Sequence, residues 1–90
     1  MPKLIPKNSF LRQSSKITKK SPSLEPKILK ALNLLRENPF APPLKTHKLS
    51  GNLSDRYACS VTDDIRIVFT VSDDTIRLLN IGSHDEVYNG

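Results

Sequence analysis

Residues 65–81 read Ile65-Arg66-Ile67-Val68-Phe69-Thr70-Val71-Ser72-Asp73-Asp74-Thr75-Ile76-Arg77-Leu78-Leu79-Asn80-Ile81, and this stretch decides the fold. Apolar side chains recur at every second position, the period of a strand whose successive side chains point to opposite faces. Ile65, Ile67, Phe69 and Val71 fall on one face, and Arg66, Val68 and Thr70 on the other. Ser72-Asp73-Asp74 interrupts the run with turn-forming residues, so its halves fold back as a hairpin. Strict alternation in the second half sets Ile76, Leu78 and Asn80 against Arg77, Leu79 and Ile81, which puts Arg77 and Asn80 on opposite faces.

Upstream, Tyr57, Cys59 and Val61 alternate with Arg56, Ala58 and Ser60, giving a preceding strand, and Thr62-Asp63-Asp64 is a turn or bulge. The three strands form an antiparallel meander. Leu44 to Gly51 reads as a polar loop and Phe40 to Pro43 as a proline-rich connector. Before these, Leu24, Ile28, Leu32 and Leu35 recur at helical spacing, widened by Leu29, Ala31 and Leu34. They predict a helix from Leu24 to about Glu37, with Pro22 or Pro26 in its first turn and Asn38-Pro39 ending it. A thinner stripe of Phe10, Leu11, Ser14 and Ile17 predicts an earlier helix to about Lys20, capped by Asn8 or Ser9. Leu4 and Ile5, held between prolines, suit a short edge strand. The expected fold class is α+β: a short N-terminal strand, then a two-helix hairpin packed on an antiparallel sheet. The expected organisation is one domain over residues 1–90.

Charge is divided along the chain. Through Lys48 there are eleven Lys and Arg against two Asp and Glu; from Leu49 onward there are three Arg against seven acids. A basic half of this kind suits a polyanion such as RNA, DNA or an acidic protein segment. The single cysteine, Cys59, excludes an internal disulfide and fits a reducing cytoplasm. Its register with Tyr57 and Val61 makes it a small buried residue, not a nucleophile. No run is apolar enough to span a bilayer, no secretory leader is evident, and no Cys/His spacing suits zinc, so no membrane, metal or cofactor is expected.

Three polar clusters remain: Lys45-Thr46-His47-Lys48, Asp63-Asp64-Ile65-Arg66, and His84-Asp85-Glu86-Val87-Tyr88 after Gly82. Antiparallel pairing brings the start of one strand near the end of the next, so Arg66 should lie near Asn80 and the Gly82–His84 turn. The loop with Lys45, His47 and Lys48 should fold over the same rim. Histidine titrates near neutral pH and can move a proton, and arginine presents a planar fork to a phosphate. RNA carries its own nucleophile in the 2′-hydroxyl, so these groups suit metal-free phosphodiester cleavage. Tyr88 could stack on a base.

The runs Leu44–Gly51, Tyr57–Val61, Asp64–Phe69 and Ile81–Tyr88, with Asn38-Pro39-Phe40 before them, resemble the RelE/ParE toxin superfamily of bacterial type II toxin–antitoxin systems, and most of all its YafQ-like branch. The resemblance covers nearly the whole chain and is strongest from Leu44 onward. It implies a ribosome-dependent mRNA endonuclease and a cognate antitoxin with an acidic, partly disordered segment. It also implies that His47, Asp64 and His84 are catalytic, that Tyr88 is the terminal aromatic, and that Arg66 is the arginine commonly found in the strand after the turn, here holding phosphate. Lys45 and Lys48 would add phosphate contacts. Members of that branch often carry histidine where this chain has Ser60, an aromatic where it has Ile65, and arginine where it has Asn80. Two other readings share the fold: a ParE-like inhibitor of DNA gyrase, and a degenerate toxin that only binds its antitoxin.

Overall fold

A computed structural model describes residues 2–49, 55–84 and 87. The elements run β1 (Lys3–Pro6), α1 (Asn8–Lys20), α2 (Leu24–Glu37), a 3-10 turn (Pro42–Leu44), β2 (His47–Lys48), β3 (Tyr57–Ser60), β4 (Ile65–Ser72) and β5 (Thr75–Ser83). They form two helices on one five-stranded sheet, ordered β1-β5-β4-β3-β2. The meander β3-β4-β5 is antiparallel as expected, whereas β1 joins the far edge parallel to β5, with Leu4 opposite Ile76. The helical hairpin supplies the crossover that parallel strands require.

The β4–β5 hairpin closes in two residues, with Ser72 opposite Thr75. Asp73 takes φ 51°, a left-handed conformation that Asp tolerates better than most residues.

Two local expectations need correction. The segment Leu44–Gly51 is not only a loop: His47 and Lys48 pair with Ala58 and Tyr57 as edge strand β2. The α1 N-cap is Lys7, without a side-chain cap bond, and Ser9 Oγ instead donates to the Leu79 carbonyl at 2.7 Å. That hydroxyl ties helix to sheet, where a cap would have tied the helix to itself.

A larger correction lies in β5. Val68 opposes Asn80 but Phe69 opposes Leu78, so Leu79 is an extra residue on β5. Alternation is reset there, and Ile76, Leu78 and Ile81 all reach the helix-side core. Unbroken alternation would turn Asn80 inward and Ile81 outward. Burying the amide unpaired would cost about 1–3 kcal/mol, and exposing the isoleucine would forfeit another 1.5–3. The bulge avoids both, and it places Arg77 and Asn80 on the same open face, not opposite ones.

The main core lies between helices and sheet. Phe10, Ile28, Ala31 and Leu35 pack on Cys59, Ile67, Phe69, Ile76, Leu78 and Ile81, with Leu44 sealing the end. Leu11 and Leu29, read as stripe residues, are half exposed. A second, smaller apolar cluster lies on the opposite sheet face: Leu49, Ala58, Val68 and Val87, with Leu79 against them.

Candidate active site at the sheet rim

One end of the sheet gathers the chemistry. Here β3 ends at Ser60, β4 begins at Ile65 and β5 ends at Ser83. Ser60 opposes Arg66, and Arg66 opposes Gly82, so the arginine stands in the middle strand on the face away from the helices. Gly82 leaves the space beside it without a side chain. The His84 N–H donates to the Asp64 carbonyl at 3.1 Å, pinning the histidine where the chain leaves β5. His84 and Asp64 are exposed and Arg66 is half-buried. From strand geometry the Cα atoms of Arg66 and His84 lie about 8 Å apart.

The turn before β4 is set by Thr62, whose Oγ1 accepts the backbone N–H groups of Asp64 and Ile65 at 3.2 and 3.0 Å. Arg66 Nη1 donates to the Thr62 carbonyl, so the guanidinium folds back on the turn and does not pair with Asp64. A carbonyl is a weak partner for a guanidinium compared with an anion, and the remaining donors of the fork suit a phosphate.

His47 sits elsewhere than the rim. It opposes Ala58, which opposes Val68, which opposes Asn80, so these four form one row across the open face. That row is two residues down the strands from Ser60 and Arg66. Strand spacings place the His47 Cα about 12 Å from that of Arg66, a gap that two side chains and a phosphodiester between them can span. The His47 ring nitrogen Nδ1 is 3.4 Å from the Lys45 carbonyl. Lys45 is a left-handed residue ending the 3-10 turn, at φ 51°. Lys48 opposes Tyr57 and so points to the helix side, away from His47. Tyr88 lies outside the described residues.

Burial pushes the Cys59 thiol up to about 12, against smaller lowering effects from the Ile67 backbone N–H and from nearby Arg66. This cysteine is fully buried on the helix side and takes no part in the site. Among the described residues no group of three or more His, Cys, Asp and Glu comes together to hold a metal.

Residues 3–89 match the family profile described as the bacterial toxin of type II toxin–antitoxin system, YafQ. The chain belongs to the YafQ family. Its fold is shared with a copper-bound mutant toxin from Helicobacter pylori, at 30% identity over 98% of this chain and 100% of that one, TM-score 0.82. It is shared also with YafQ from E. coli, at 18% identity over 98% and 99% of the two chains, TM-score 0.82. The E. coli DinJ–YafQ complex aligns at 19% identity over 98% and 99%, TM-score 0.81. No curated protein matches the sequence. The YafQ-family fold puts two of the three departures, Ser60 and Asn80, on the open face beside Arg66 and His47. Ile65, the third, packs against the main core.

Sequence reasoning gave the basic face of α1 but missed where the helices bring their lysines. A groove of about 520 Å³ lies between α1 and β5, lined by Lys16, Lys19 and Lys20 with Gln13, Ile17 and Ile81. A second, of about 210 Å³, places Lys27 and Lys30 beside Ser60 and Val61. The basic face of α1 was legible; its destination depended on how the hairpin docks.

Proposed function

We propose that this YafQ-family toxin is an mRNA endonuclease that acts on the ribosome in the cytoplasm. The observation that carries the reading is the His84 amide seated on the Asp64 carbonyl, which sets an exposed histidine beside Arg66 at an open rim. Cleavage proceeds by the RNA's own 2′-hydroxyl. A base removes its proton, the 2′-oxygen attacks phosphorus, the bond to the 5′-oxygen breaks, and an acid protonates that leaving oxygen. The products are a 2′,3′-cyclic phosphate and a 5′-hydroxyl end. His84 moves a proton at this step, with Asp64 assisting from the rim and His47 from the row below it. Arg66 leaves its carbonyl partner for the phosphate and holds the charge that grows on its oxygens. Lys45 and Lys48 add positive potential, and Tyr88 stacks on a base.

The partner in the resting cell is an antitoxin whose acidic, partly disordered segment orders across the basic surface. The DinJ–YafQ assembly of a structural relative supports that reading.

Adding the protein to a translation reaction and mapping new mRNA ends tests the nuclease. Ends that require ribosomes and vanish with His84→Gln are expected. Intact mRNA together with loss of gyrase supercoiling activity would replace this reading with the ParE-like one.

A further inference from the structure

The two lysine-lined grooves flank one rim. Ser9 bonds to Leu79 and Gln13 Oε1 accepts the Ile81 N–H at 2.9 Å, so α1 climbs beside β5 in the same direction. From Gln13 the helix rises about 10 Å further to Lys20, whereas β5 has only about 7 Å to run from Ile81 to Ser83. The end of α1 therefore reaches the level of His84. The turn after it begins α2 at the same level, and Lys27 and Lys30 come down beside the end of β3. Arg66, in β4, stands between the two groups.

These lysines are not explained by folding alone. Lys19 and Lys20 complement the negative end of the α1 dipole. Lys27 lies at the start of α2, where a positive charge opposes the dipole, and Lys16 and Lys30 stand clear of either favourable end. Among the described residues the ion pair is Asp55–Arg56, so no carboxylate holds any of the five. Among the described residues the nearby acids are Asp63 and Asp64 on the rim loop and Glu25, which lines the separate apolar groove between the helices. Five lysines and Arg66 outnumber them.

We propose that the tip of the helical hairpin is a second RNA-binding surface, in which Lys16, Lys19 and Lys20 on one side and Lys27 and Lys30 on the other hold the phosphate backbone as it leaves the catalytic rim. RNA is taken as the ligand from the nuclease reading above. The surface itself favours RNA over a protein segment. Its cations are compact point charges on flexible stems, suited to phosphates. Neighbours three or four apart on a helix sit about 5–6 Å from each other, so successive lysines can meet successive phosphates.

The test is fluorescence-anisotropy titration of a labelled single-stranded 2′-O-methyl oligoribonucleotide, whose blocked nucleophile prevents cleavage. It compares the intact protein with Lys16→Gln/Lys19→Gln/Lys20→Gln, with Lys27→Gln/Lys30→Gln, and with the control Lys3→Gln/Lys7→Gln. All these side chains are exposed. The triple variant should bind at least about tenfold more weakly near 100 mM salt, and its log–log salt slope should shrink by about 2. The α2 pair should shrink it by about 1.4, and the control by much less. Equal losses in the control, or unchanged slopes in both tip variants, would overturn the surface. Binding of an oligoglutamate peptide as tight as RNA binding, with the same lysine dependence, would overturn RNA as its ligand. Lysine-dependent binding without any ribosome-dependent cleavage would refute the catalytic reading and leave this surface standing.

Discussion

Replacing Val87 with alanine should loosen the His84 anchor without loosening the protein. Val87 is 8% exposed and packs with Leu49, Ala58 and Val68 on the open face, apart from the main core. It lies three residues beyond His84, whose N–H is held by Asp64. Val87→Ala removes two methyl groups, worth about 1.5 kcal/mol of burial at roughly 0.8 kcal/mol each. If the cluster is what holds Val87 on the sheet, that energy comes off the local opening equilibrium, which is about a tenfold change. Amide hydrogen exchange followed by NMR reads it directly. The His84 amide should lose about tenfold protection, and the Ile67 and Phe69 amides in the central strand should change far less. Leu49→Ala, acting on the other side of the same contact, should reproduce the effect, and the two should combine less than additively because they share the contact. Unchanged protection at His84, or an equal loss at Ile67, would refute the reasoning: the cluster would then be either irrelevant to the anchor or part of one cooperative core.

Other outcomes follow from the same contacts. Leu35→Ala, at a fully buried site, should cost about 2–5 kcal/mol in chemical denaturation, while Leu29→Ala, half exposed on the same helix, should stay within about 0.5. The raised Cys59 pKa adds stability that is fully present below its unfolded value of 9.0 and is lost as pH rises toward about 12. The unfolding free energy from chemical denaturation should therefore fall by an extra ~1.4 kcal/mol per pH unit above 9 relative to Cys59→Ala, and parallel curves for the two proteins would show that the thiol titrates unperturbed. Arg66→Ala should lower cleavage about 10²–10³-fold with little change in stability, measured by mapping mRNA ends alongside thermal unfolding. Asn80→Arg sets a second guanidinium on the open face near Arg66 and should raise cleavage about tenfold if phosphate charge is limiting, and an unchanged rate would place the limit elsewhere.

The hairpin of β4 and β5 and the length of α2 were legible because each rests on a local period, two for a strand and 3.6 for a helix. His84 and Arg66 were legible as neighbours because antiparallel pairing returns the end of β5 to the start of β4. The edge strand at His47 and Lys48 was not, since two residues carry no period. The Leu79 bulge was not, because alternation shows which residues are apolar and not where a partner strand counts two against one. Its consequence reaches the site: it moves Asn80 to the open face and Ile81 into the core. The placement of His47 in the Ala58–Val68–Asn80 row, one step below the rim, likewise required the register.

By itself the sequence determined the two helices, the short first strand and the three-strand meander, their order, the basic first half and the types of residue available for chemistry, because these follow from local spacing and from charge that does not depend on shape. Tertiary structure decided which of them meet. The parallel docking of β1, the climb of α1 beside β5 through Ser9 and Gln13, and the extra residue at Leu79 depend on partners as far along the chain as Thr75 is from Lys3. Those long-range contacts bring the lysines of the helical hairpin to the same rim as Asp64, Arg66 and His84, where chain order alone keeps them apart.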